Sequence, residues 1–267
     1  MRKLSLLVLC LACAAARVSV QGEPKPPMTA EQVLERFIEA TGGRAAYDKV
    51  KSSVQRGTME LTAQGMKFEF ETYIKPPNKI LVVQRMPAIG EIMKGYDGKI
   101  GWSKDPINGL RELKGAELAL LKREAAQNAV QRWREFYKKV ELVGTKKVGT
   151  GTAYVVRLVP TEGKPITHYY DTKTGLLVRL DVVVESPQGS FATESYPSDY
   201  RVVDGIKAPF TIKVKSPVGD MVAHVSEVKN NVEIDDSKFA KPSEEKPAEK
   251  SVEPPEKPGD SQKPPGS

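Results

Sequence analysis

The sequence has little thiol or imidazole chemistry to offer. Its 267 residues include two cysteines, Cys10 and Cys13, and two histidines, His168 and His224. A disulfide framework, a Cys/His zinc centre and a His-rich metal cluster are excluded on those counts. The apolar run at residues 4–16 is too short to cross a bilayer as a stable helix. His-Glu-x-x-His, Gly-x-Ser-x-Gly, a Walker lysine loop and an EF-hand loop are all absent. Lys173-Thr174-Gly175 echoes one β-lactamase motif, but the Ser-x-x-Lys at Ser243/Lys246 lies in a Pro-rich tail. Asp171-Thr172-Lys173-Thr174-Gly175 reads as turn chemistry, because Asp and Gly are what a tight turn selects. Gly149-Thr150-Gly151 is too short for a dinucleotide loop. No carboxylate pair stands out among the 34 acidic residues. The expectation is a protein with no catalytic residue, no metal and no cofactor. Hydrophobic residues at 39% and charged residues at 28% fit a soluble globular domain.

What is present divides the chain into three. Residues 1–22 read as a secretory signal: Arg2 and Lys3, the apolar run, then Val20-Gln21-Gly22 before Glu23. Both cysteines then leave with the signal. The alternative is a lipid anchor at Cys13, which Cys10-Leu11-Ala12 precede. Residues 241–267 hold seven prolines, five lysines, six acidic residues and a single branched aliphatic, Val252. Such a segment buries too little apolar surface to offset its ordering entropy, so a disordered Pro/Lys/Glu-rich tail is expected.

Residues 23–240 form the folded body. Thr29 and Gln32 make a capping box ahead of a helical apolar stripe, Val33, Leu34, Phe37, Ile38 and Thr41, which Gly42-Gly43 ends. A short second helix follows near residues 44–50. Ten or eleven strands come next, joined by short turns, in a meander rather than βαβ units. One helical insertion, residues 115–139, interrupts them. It carries an apolar stripe from Leu118 to Val140 and a basic opposite side. A sheet this long curls, leaving a concave apolar face for the two helical segments to cover. The fold class is α+β, mostly antiparallel β. Alternation predicts that Met66, Phe68, Phe70, Val178, Leu180 and Val182 face that concavity.

The net charge is +7. Removing Arg2, Lys3 and Arg17 with the signal lowers it to about +4, and between Lys122 and Lys147 eight Lys/Arg face three Glu. The excess is therefore local. Arg132, Arg134, Lys138 and Lys139 are candidates to meet a membrane surface or an acidic partner. Export argues against a nucleic-acid partner.

Several stretches resemble a known family. The capped helix ending Ala40-Thr41-Gly42-Gly43, then Val50-Lys51-Ser52, and the segments 96–102, 169–176, 199–210 and 231–239 are similar to the outer-membrane lipoprotein-sorting proteins, the LolA/LolB-like fold. The resemblance implies a strongly curved, unclosed half-barrel of about eleven strands covered by helices. It further implies a periplasmic protein that holds lipid or lipoprotein acyl chains against the sheet. The alternative is a non-catalytic envelope interaction or sensor protein on the same fold. A hydrolase would need two carboxylates facing each other across the cavity.

Overall fold

The computed structural model describes residues 28–87, 89–126, 130–186 and 189–243. The signal segment 1–22, Cys13 and the tail beyond residue 243 lie outside the described residues.

The chain opens with helix α1 (Ala30–Ala40) and the single turn α2 (Arg44–Tyr47). The capping box is formed: Gln32 N–H donates to Thr29 Oγ1 at 3.3 Å, and Thr29 N–H donates to Gln32 Oε1 at 2.9 Å. Two orphan donors are thus satisfied at the helix start. Six strands follow in up-and-down order: β1 (Ser53–Leu61), β2 (Met66–Lys75), β3 (Lys79–Met86), β4 (Gly90–Tyr96), β5 (Gly101–Asp105) and β6 (Gly109–Glu112). Helix α3 (Gly115–Ala125) and the short α4 (Trp133–Phe136) intervene. Then come β7 (Tyr137–Val148), β8 (Gly151–Pro160), β9 (Ile166–Asp171), β10 (Leu177–Ser186), β11 (Gly189–Val203), β12 (Ile206–Lys215) and β13 (Met221–Asn230).

All thirteen strands join one antiparallel sheet in the order β6-β5-β4-β3-β2-β1-β13-β12-β11-β10-β9-β8-β7. β13 returns to pair with β1, so two meanders fuse at the middle, and the outer strands β6 and β7 do not pair. Helix α3 touches β3, β4 and β5 and also β10. Six strands separate β4 from β10, which would put them about 34 Å apart in a flat sheet. A helix of eleven residues is about 16 Å long, so it reaches both sides only because the sheet curls into a half-barrel.

The strands number thirteen rather than about eleven; β6, only four residues long, is too short to show a period. The insertion at 115–139 is not one helix: α3 stops at Ala125, and Tyr137 already begins β7. Lys138 and Lys139 therefore sit on a strand.

The concave face is filled at one end. Val33, Leu34 and Ile38 of α1 pack against Val156, Leu158, Ile166 and Tyr170. Arg36 ties α1 to the β9–β10 turn through Thr172 O (2.9 Å) and Lys173 O (2.6 Å), and Lys207 N–H donates to Thr41 O at 2.9 Å. On the convex face the closing segment 231–240 straps β1–β5. Ile234 and Phe239 are buried against Val54, Leu81, Val83 and Trp102, and Trp102 Nε1 donates to Phe239 O at 2.9 Å.

Candidate functional site

Where α1 stops, the concave face is not filled. A hollow of about 510 Å³ lies between α3 and strands β9–β13. Its floor is a row of directly opposed residues. His168 pairs with Leu180, Leu180 with Ser195, Ser195 with Val214, and Val214 with Met221. All five line the hollow. Five adjacent strands make this row about 19 Å wide. A second row, Val182 opposite Thr193 and Val184 opposite Phe191, extends the floor along the strands. Residues two apart share a face, which is why two registers build one surface.

The roof is α3, whose two sides differ. Leu118, Leu121 and Ala125 pack on Ile74, Ile80 and Tyr96. Leu120, Arg123 and Glu124 face the hollow. Leu120 and Glu124 are four apart and so lie on one side of the helix.

The polar groups in the wall are mostly occupied by protein. His168 is buried, and its Nδ1 lies 2.7 Å from the Tyr170 hydroxyl. Burial pushes its pKa down to about 4, so the ring is neutral at neutral pH. Thr193 Oγ1 donates to Val182 O at 3.2 Å. Arg123 Nη1 donates to Glu162 O at 2.8 Å, and burial lowers the pKa of the guanidinium. Its Nε has no partner among the described residues. Burial raises the pKa of Tyr137, whereas Glu124 is exposed. The result is an apolar slot, neutral along its floor, with charge only at its roof.

The six apolar residues expected at the concavity are dispersed. Leu180 and Val182 line the hollow. Phe70 belongs to a packed cluster with Phe210, Ala223 and Val225. Its ring lies over Gly57, where an added Cβ would stand 2.7 Å from the ring and 2.1 Å from His224 O. Phe68 lines a different hollow of about 650 Å³ at the far end of β2, flanked by Lys67, Glu69, Arg85 and Glu91. Met66 is half-buried at the start of β2. Val178 is turned to the opposite face, beside Ala153, Val155 and Tyr169. The cause is a bulge: register against β9 shifts between Leu177 and Arg179, and an extra residue breaks strict alternation. Thr193, Ser195 and Glu124 lacked a signal, since two polar strand residues and one helix carboxylate look like a solvated face.

The four basic residues are also divided. Arg132 precedes α4, bonds to Glu135 with Nε at 2.9 Å, and lies over the Phe136 ring at 5.5 Å. Arg134 lies 3.7 Å from a Glu35 oxygen and 4.1 Å over the Trp133 ring. Lys139 pairs with Glu141 at 2.6 Å on β7. Among the described residues no group of three His, Cys, Asp or Glu could hold a metal ion, and no helix is long and apolar enough to cross a membrane.

No protein-family model matches the sequence, and a search of curated proteins finds no match. Solved structures do match. A DUF1329 family protein from Desulfovibrio piger aligns with TM-score 0.54 and 18% identity over 79% of this chain and 97% of its own. A LolA superfamily protein from Nitrosomonas europaea gives 0.55 and 13% over 80% and 99%. A putative outer membrane lipoprotein-sorting protein domain from Vibrio parahaemolyticus gives 0.52 and 10% over 79% and 97%. At such identities the likeness concerns architecture, and it agrees with the curled, helix-covered sheet described above: the chain has the LolA/LolB-like fold of the outer-membrane lipoprotein-sorting proteins.

Proposed function

We propose that this protein is an exported, non-catalytic carrier or receptor that holds acyl chains of a lipid or lipoprotein in the hollow beneath α3, working in the periplasm. The observation that carries this reading is the row from His168 to Met221. It is a continuous, uncharged strip on the inner face of a half-barrel, left uncovered where α1 ends. A volume of about 510 Å³ falls within the range of small-molecule sites, about 300–1,000 Å³. Burying a methylene gains about 0.8 kcal/mol. Ten methylenes thus gain about 8 kcal/mol before an association cost of about 4–15 kcal/mol. Such a site binds reversibly, as a carrier must. Export is supported by the signal-like residues 1–22, and the fold is shared with a LolA superfamily protein and a putative lipoprotein-sorting domain.

The test is native mass spectrometry of the protein incubated with a total envelope lipid extract. Retained lipid of defined mass, lost when Val182 is replaced by Trp, is the expected result. A clean unliganded mass after incubation overturns the reading.

A further inference from the structure

The two ends of the hollow differ. Toward β12 and β13 it is lined by Val214, Val218 and Met221. Toward β7–β9 it is lined by Tyr137, Ile166 and His168, and two of these carry a polar atom that the protein does not use. Tyr137 is 6% exposed and His168 is 7% exposed. Among the described residues the Tyr137 hydroxyl has no hydrogen-bond partner, and His168 bonds only through Nδ1, to Tyr170. The side-chain atoms sealed from open space without a partner are Ser103 Oγ, Arg111 Nε and Arg123 Nε. The Tyr137 hydroxyl and His168 Nε2 are not among them, so both are reached from the hollow that their residues line.

The hydrogen on the imidazole can be placed. Tyr170 is 1% exposed, and His168 Nδ1 is the one partner of its hydroxyl among the described residues. A buried hydroxyl hydrogen needs an acceptor, so Tyr170 donates and Nδ1 accepts. Burial keeps the ring neutral, and the hydrogen of a neutral imidazole then resides on Nε2. That nitrogen gives a hydrogen bond and cannot take one. Ser195, in mid-floor, offers a hydroxyl that serves donors and acceptors alike. Glu124, on the roof, is exposed, where an ion pair contributes little. We infer that the β7–β9 end of the hollow reads hydrogen-bond acceptors: His168 Nε2–H, with the Tyr137 hydroxyl beside it, receives a carbonyl or carboxylate oxygen at the head of an alkyl ligand whose chain runs toward Met221. The ester or amide carbonyl of an acyl group and the carboxylate of a free fatty acid share that chemistry. A head that only donates finds no partner there. This inference rests on the acyl-chain reading above and names the head-group chemistry within it.

The test uses the full chain loaded with Nile red, an uncharged dye that reports on the apolar slot. Three competitors are compared at neutral pH below their micellar concentrations. N,N-dimethyldodecanamide only accepts, dodecanoate accepts and carries charge, and dodecylammonium only donates. The amide is expected to displace the dye at about one tenth of the ammonium concentration, the scale of one or two neutral hydrogen bonds. Dodecanoate matching the amide extends the site to free fatty acids, and dodecanoate lagging behind it restricts the site to linked acyl groups; both results support the inference. Tyr137→Phe removes a hydroxyl that bonds to nothing in the protein, and should lower the amide preference to about threefold. His168→Leu combined with Tyr170→Phe removes both members of the buried pair and orphans neither, and should lower it to about twofold or less. Denaturant unfolding checks that each variant is folded, and if the double variant is not, Tyr137→Phe decides alone. Equal displacement by amide and ammonium overturns the inference, as does a preference unchanged in the folded variants. Dodecanoate ahead of the amide by tenfold also overturns it, because the Arg123 charge would then be the selector. Failure of the wild type to bind Nile red and any competitor overturns the acyl-chain reading itself, and this inference with it.

Discussion

The two long helices meet the same curved sheet in opposite ways. Helix α1 presses Leu34 and Ile38, both at 0% exposure, onto Val156, Leu158 and Tyr170, and nothing is left between helix and strands. Helix α3 anchors one side on Ile74, Ile80 and Tyr96 and holds its other side off the floor formed by β9–β13. One helix completes a core and the other roofs a hollow. A half-barrel can therefore be stabilised at one end and kept open at the other, and stability and binding should separate by helix.

The largest effect that distinguishes them is on stability. Leu34→Ala should cost about 2–5 kcal/mol, the range for truncating a fully buried leucine. Leu120→Ala on the hollow side of α3 should cost less than about 1 kcal/mol. Denaturant unfolding of both variants measures the contrast, and similar losses would erase it.

His168 lies on the boundary between the two regions, bonded to Tyr170 and lining the hollow. Its pKa is about 4 in the fold and near 6.5 when unfolded. Between those values the unfolded chain takes up a proton that the folded chain refuses. The contribution of His168 is complete above about pH 6.5 and is lost as pH falls toward 4, on the order of 3 kcal/mol in all. Melting temperatures measured from pH 7 to 4 should fall more steeply in the wild type than in His168→Gln. Parallel profiles would mean that the imidazole is not held neutral by burial.

Gly57 tests whether the middle of the floor is packed or open. Its Cβ would meet Phe70 and His224 O, so Gly57→Ala should destabilise by about 1–3 kcal/mol. No loss would mean that both the Phe70 ring and the β13 backbone at His224 can give way, so that the middle of the floor is not packed. Filling the hollow itself should leave the fold alone. Val182→Trp is expected to reduce binding of an alkyl ligand at least tenfold, about 1.4 kcal/mol, while the unfolding midpoint moves little. Weakened folding with intact binding would reverse the assignment of the two regions.

The smallest effect concerns the basic residues. Arg132, Arg134 and Lys139 already have acidic neighbours in Glu135, Glu35 and Glu141, and exposed pairs of this kind contribute about 0–1 kcal/mol. Reversing these three and Lys138 to Glu should lower binding to anionic vesicles by about twofold. Unchanged binding removes any membrane contact at α4 and β7.

The contrast between the helices was half legible in the sequence. Thr29 and Gln32 announced the start of α1, and its apolar stripe announced a face that must be covered. Alternation found Leu180 and Val182. It failed at Val178, because a one-residue bulge reverses the facing and leaves no mark in composition. It also passed over Thr193 and Ser195, since an inward face need not be apolar when Val182 O accepts the threonine hydroxyl. Glu124 was hidden among 34 acidic residues. Only tertiary structure places it at the roof of the hollow. The break after α3 was hidden by Trp133, Phe136 and Val140, which continue a helical spacing although β7 begins at Tyr137.

The proposed site for alkyl chains is the hollow under α3. Photolabelling with an alkyl diazirine, followed by peptide mapping, tests it most directly. Labels confined to α3, β10 and β11, and suppressed by Val182→Trp, are the predicted result. Labels concentrated on residues 66–69 and 85–91, around the other hollow, would contradict it.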